Sequence, residues 1–155
     1  MTTTADQIQR LGRTADDLAA LLDGKPTAIL TKRPAENAWG ATEVVCHLRD
    51  TEELFFGRFQ TILANDGPKL LAIDPDAWAR DRQYLRNDAT EALTSFRIKR
   101  EETLKLLLAL AHAQWERSGI HPSRGKMTLK DFVALMAGHD DNHLDQLRRA
   151  LDGRP

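Results

Sequence analysis

The sequence predicts an all-α four-helix bundle in up-down-down-up order, with a long connection between its second and third helices. Its 155 residues are the size of one ordinary domain, so 1–155 is read as a single unit. Only nine glycines and an aromatic share of 6% suit helices better than a turn-rich sandwich or barrel. Apolar residues also recur at three- and four-residue steps in four separate stretches, which is the period of a helix with one buried face.

The first stretch follows Thr4 and carries Ile8, Leu11, Ala15, Leu18 and Leu22, and "DGKP" at 23 to 26 stops it. Residues 27 to 40, with Pro34 and Gly40, read as a connection. The second helix starts at Ala41, runs through Val44, Leu48, Thr51, Phe55, Phe59 and Ile62, and ends at "NDGP" near Asn65. Residues 65 to 87 have no sustained period beyond a short helix around "DAWARDRQY", and are longer than a normal bundle turn. Asn87 or Asp88 caps the third helix, whose face is Ala92, Phe96, Thr103, Leu107 and Leu110 and which frays near His112. After the loop "ERSGIHPSRGKM", Thr128 and Asp131 resemble a capping box ahead of Leu129, Phe132, Met136, Leu147 and Leu151.

Composition narrows the function. A net charge of -1 gives no field to attract a nucleic-acid backbone, so no nucleic acid is expected as partner. The longest apolar run, "LLLALA" at 106 to 111, is far short of the ~20 residues that span a bilayer, and "MTTTADQIQR" has no signal-like apolar core. A cytoplasmic protein with no membrane partner is the expectation. Cys46 is the only cysteine, so a transition metal here must be held by His, Asp or Glu.

In "AGHDDNHLDQL", His139 and His143 are ~40° apart on a helix and fall on the stripe of Phe132, Met136 and Leu147. Two inward imidazoles one turn apart can each reach one ion at ~2.0–2.1 Å. The alternative is a pair of hydrogen-bonded core histidines, but both nitrogens of each ring would then need partners. A zinc protease motif is excluded because the residue after His139 is Asp140 rather than Glu.

A third ligand must come from upstream. His112 sits at a helix end and His121 in a loop before Pro122, whereas His47 lies within about 60° of the inward stripe of the second helix. His47 is ~9 Å from the start of its helix, and His143 and His139 are ~12 and ~18 Å from the end of theirs. The levels match if the fourth helix runs against the second, which makes the second and third parallel and gives residues 65 to 87 their length. By the same count His121 lies at the far end.

"WGATEVVCHLRDTE" at 39 to 52 and "GKMTLKDFVALMAGHDDNHLDQL" at 125 to 147 resemble the DinB-like superfamily, metal-binding four-helix bundles that include YfiT-type candidate metal-dependent hydrolases. Trp39, Glu43, His47 and Leu48 match its first motif, and His139, Asp140, His143 and Leu144 its last. The likeness extends through "DAWARDRQY" and "EALTSFRIKREETLKLL". Gly40 departs from it, since many members have Ser or Thr there as a cap. The resemblance implies that His47, His139 and His143 bind one divalent metal, commonly zinc or nickel, and it implies the same helix order. It further implies low-molecular-weight thiols as co-substrates, since relatives include S-transferases and isomerases, and pairing into a homodimer.

Three imidazoles leave a tetrahedral ion one open position. Water there can be deprotonated near neutral pH, and a thiol outright, so transfer of a thiol to an electrophilic small molecule and hydrolysis are both open. A non-catalytic, stress-related metal-binding bundle is the third reading. By ligand type, copper and iron qualify alongside zinc and nickel. Glu43 and Asp140 are candidates to orient an imidazole or act as a base. The site is expected to open toward the connection after the first helix and the start of the third, with Trp39 and Tyr84 at the substrate mouth. Cys46 should face away from the ion, and Arg100, near the inward stripe of the third helix, should extend to the surface rather than bind an anionic group of a thiol cofactor.

Overall fold

A computed structural model describes residues 2–155. The first predicted helix is two: α1 (Thr4–Leu11) and α2 (Thr14–Leu22). Thr3 caps α1, its hydroxyl accepting from the Asp6 amide while the Asp6 carboxylate accepts from the Thr3 amide. The break falls at Gly12, a poor helix former, and the Leu11 carbonyl accepts instead from the Arg100 guanidinium at 2.9 Å. The following connection contains one turn of helix, α3 (Thr27–Leu30).

The second predicted helix is α4 (Ala41–Ala64). It begins at Gly40, and that residue is small for a steric reason: a Cβ there would lie 2.7 Å from the Lys32 carbonyl oxygen. Glu43 does the capping instead, accepting from the Gly40 amide at 3.1 Å. The long connection carries α5 (Pro75–Asp81), capped by Asp74, and a 3-10 turn at Tyr84–Arg86. Asp88 caps α6 (Ala89–Leu108). Thr128 and Asp131 form the expected capping box of the last helix, α7 (Leu129–Leu151).

Between α6 and α7 the sequence reads as loop, yet β1 (Ser118–His121) and β2 (Gly125–Thr128) form an antiparallel hairpin. Four-residue strands are too short to show a period. Gly125 supplies the left-handed residue at the turn, with φ of 75°. Gly119 lies against Ile62 of α4, where a Cβ would meet the Ile62 side chain at 3.0 Å. The edge of β1 is paired by the long connection, through Leu70 N–H to the Ile120 carbonyl at 2.9 Å and Ile120 N–H to the Pro68 carbonyl at 2.8 Å. These bonds bring residues 68 to 73 and the hairpin onto one side of α4.

The core has two apolar clusters. One gathers Leu18, Val44, Leu48, Phe96 and Leu147; the other Leu11, Phe59, Leu107, Phe132 and Met136. Between them lies a buried polar layer of Thr14, Glu52, Arg100 and Asp140. Arg100 is only 3% exposed, which corrects the expectation that it reaches the surface: Glu52 and Asp140 neutralise it where it stands. Along α4 and α7 the contacts run in opposite order, with His47 against His139 and Phe59 edge-on to Phe132. No described helix is long and apolar enough to cross a membrane.

Candidate metal centre

His47, His139 and His143 converge where α4 and α7 cross the boundary between the two clusters. One ring nitrogen from each lies within 4.8 Å of the others. Nε2 of His47 is 3.2 Å from Nε2 of His139, and the His143 ring centre is 4.4 Å from both other rings. A tetrahedral ion with ~2.0–2.1 Å bonds holds neighbouring nitrogens about 3.3 Å apart, so the spacing fits one shared ion.

The tautomers fit as well. Gln146, one turn after His143, places its carbonyl oxygen 2.7 Å from His143 Nδ1, which puts the proton on Nδ1 and frees the Nε2 lone pair. Two neutral Nε2 atoms facing each other at 3.2 Å can share at most one proton, and His47 Nδ1 is buried without a partner. Burial, then the neighbouring His143 and His139, push His47 down to about 2. Burial, then His143 and Arg100, push His139 down to about 3, and burial lowers His143 too. All three are therefore neutral at physiological pH, the form that binds a metal.

The histidines line one end of a cavity of about 710 Å³, within the range of small-molecule sites. Trp39 stands at this end, its ring centre 5.0 Å from that of His47, while also packing on the core. Leu54, Phe55, Ala72, Ile73 and Leu135 supply an apolar wall. The long connection and the hairpin thus line the cavity together with Trp39 from the connection after α2, and no described residue from the start of α6 does. Arg58, His121 and Arg124 line it too. His121, expected far away, is carried back by the hairpin that the sequence pattern did not reveal.

Tyr84 is not at the mouth. It is fully buried and donates its hydroxyl to Asp50 at 2.6 Å. Cys46 faces the Tyr84 carbonyl in the core, and burial pushes its thiol up to about 11. Glu43 accepts from Arg33 at 2.8 and 2.6 Å besides capping α4, and Asp140 accepts from Arg100 and the Thr14 hydroxyl. Neither carboxylate is bonded to an imidazole. Gln146 takes that part for His143, and its signal in the sequence was its i+3 spacing on the same helix.

The sequence profile of the DinB superfamily matches residues 10–147. A relative from Oceanobacillus iheyensis is 25% identical over 79% of this chain and 70% of its own length. Another, from Halalkalibacterium halodurans, is 27% identical over 79% of this chain and 71% of its own. Both carry names that make them candidate metal-dependent hydrolases. Among solved structures, YfiT from Bacillus subtilis superposes with a TM-score of 0.89 at 22% identity, over 95% of this chain and 85% of that one. It is described as having an unusual four-helix bundle topology, and at that identity the likeness speaks for the fold alone.

Proposed function

The chain belongs to the DinB superfamily, and we propose that it is a metal-dependent enzyme in which His47, His139 and His143 hold one divalent ion, zinc or nickel, beside a small-molecule cavity. The single observation that carries this reading is the 3.2 Å approach of two Nε2 atoms, with the third ring alongside, at the wall of an open cavity. A structural ion would ordinarily take four protein ligands in a closed site. The bundle order that goes with this reading is up-down-down-up, supported by Val44 and Leu48 of α4 clustering with Ala89 and Ala92 at the start of α6, and Phe59 and Ile62 with Leu107 at its end, while Phe59 also meets Phe132 near the start of α7.

An ion held by three imidazoles supplies a Lewis acid that lowers the pKa of a water or thiol bound to it. Within the enzyme reading, transfer of a low-molecular-weight thiol to an electrophile is preferred. Hydrolysis on zinc is commonly helped by a carboxylate base, as in the His-Glu proteases, whereas none of the described cavity-lining residues is Asp or Glu. Thiol transfer needs no such base: a sulfur–carbon bond forms, the thiol proton passes to water, and the leaving group departs with its bonding pair. Trp39 and the apolar wall would exclude water from the electrophile, and Gln146 keeps His143 turned toward the centre.

Hydrolysis is the second reading, favoured by the names of the relatives. The test is conjugate formation by metal-loaded protein with a panel of small thiols and a model electrophile, beside thiol-free ester and amide panels. Conjugates that disappear in His143→Ala support transfer; thiol-independent turnover with the same dependence supports hydrolysis. No turnover of either kind above His143→Ala removes the enzyme reading.

A further inference from the structure

The end of the cavity away from the histidines has a feature that metal binding does not use. Among the described residues, two arginines are buried in the bundle. Arg100 is matched by two carboxylates, Glu52 and Asp140. Arg58 is 8% exposed and has none: its single hydrogen bond among the described residues runs from Nη2 to the Leu71 carbonyl at 2.8 Å, and its Nε is buried without a partner. A guanidinium in that position is costly unless something anionic completes it.

The surroundings add positive charge and no negative charge. Arg124 lines the same cavity, and no described lining residue is acidic. His121 uses Nδ1 to accept from the Ser123 and Arg124 amides, at 3.1 and 3.2 Å, so its ring proton sits on Nε2. Burial, then Arg58 and Arg124, lower its pKa, which keeps it a neutral donor.

The placement relative to the metal centre is set by α4. His47, Thr51, Leu54, Phe55 and Arg58 form one stripe along the cavity, and eleven residues of helix separate the Cα levels of His47 and Arg58 by about 16 Å. Between the two ends the wall is apolar. We propose that Arg58, with Arg124 and His121, forms an anion subsite that seats the carboxylate or phosphate of an elongated, otherwise apolar substrate, whose other end lies at the three histidines. The subsite deepens the proposed function, and rests on it only for what happens at the far end of the ligand.

The probe is octanoate, with octanol as the neutral molecule of equal length, titrated calorimetrically into metal-loaded protein. Replacing Arg58 by Met (R58M) weakens octanoate by at least about thirtyfold, the size expected for losing one side of a buried charge pair. It leaves octanol binding in place, and it raises the melting temperature of the ligand-free protein because an unpaired buried charge is gone. His143→Ala loses the ion and keeps octanoate. If R58M does not fold, Arg124→Gln, at an exposed position, must weaken octanoate several-fold.

Octanoate affinity unchanged in R58M overturns the subsite, as does an R58M protein that melts lower and loses octanol too, or unchanged affinity in Arg124→Gln beside an unfolded R58M. Octanoate lost in His143→Ala but not in R58M places the anion on the ion and overturns the subsite while leaving the metal centre standing. Octanoate bound through Arg58 in a protein that takes up no metal upholds the subsite and removes the metal-dependent reading.

Discussion

Both terminal nitrogens of Arg100 donate to the two oxygens of Asp140, the residue beside His139, at 2.7 and 3.0 Å. The fork also reaches Glu52 at 2.8 Å and the Leu11 carbonyl at 2.9 Å, so one side chain ties the α1–α2 break, α4 and α7 to α6. With all three charges essentially excluded from water, removing the cation leaves two buried carboxylates uncompensated. Arg100→Met should lower unfolding stability by about 3–5 kcal/mol, and measured metal affinity should fall as α7 loses its anchor next to His139. An unchanged urea midpoint would show that water or a rearranged partner replaces the guanidinium.

Gln146 acts on the ion through another ring. By accepting from His143 Nδ1 it selects the tautomer and the ring orientation, an influence worth roughly 10- to 100-fold in metal affinity at comparable sites. Gln146→Leu should weaken the ion by that factor, read by competition with a chromophoric chelator, at unchanged helix content. Gln146→Glu should restore most of it, because a carboxylate oxygen accepts the same bond. Equal affinity in all three proteins would mean that the His143 ring is positioned by packing alone.

Much of this site could be read from spacing, and what could not has physical reasons. His47, His139 and His143 are on long helices, where period and rise fix both face and level, and their convergence in the structure follows that count. Thr128 and Asp131 announced α7 by chemistry that is local. The hairpin is different: its strands are four residues long and held partly by the backbone of residues 68 to 70, so no local pattern reveals that His121 and Arg124 reach the cavity. Arg100, near the inward stripe of its helix, is expected from sequence to reach outward because its neutralising partners, Glu52 and Asp140, lie 48 and 40 residues away. Tyr84 misled for the same reason, its partner Asp50 being on another helix.

Metal removal offers a direct check on the three histidines. An ion that binds the folded chain and not the unfolded one raises stability by about 2.7 kcal/mol at a hundredfold excess over its Kd. Thermal melts with zinc or nickel should therefore run higher than melts in chelator, and the difference should vanish in His47→Ala, His139→Ala and His143→Ala alike. His121→Ala should keep it. A metal-dependent rise that survives in any of the first three variants would show that the ion sits elsewhere.

Asp50 sets an acid limit on the fold. Burial pushes its carboxyl up, but hydrogen bonds from Arg49, Tyr84 and Arg82, at 2.8, 2.6 and 2.9 Å, together outweigh that and hold it below its ordinary value. A carboxyl whose folded pKa lies below its unfolded value favours the fold wherever it is ionised. The contribution is thus complete above the unfolded value of about 3.9 and is lost as pH falls through the folded one. Asp50→Asn should be less stable than the parent near neutrality, and the two melting curves should approach each other below about pH 4 as the parent carboxyl takes up its proton. Parallel loss of stability in both proteins across that window would mean that the three donors bind the protonated group as well as the carboxylate, and that other side chains govern acid unfolding.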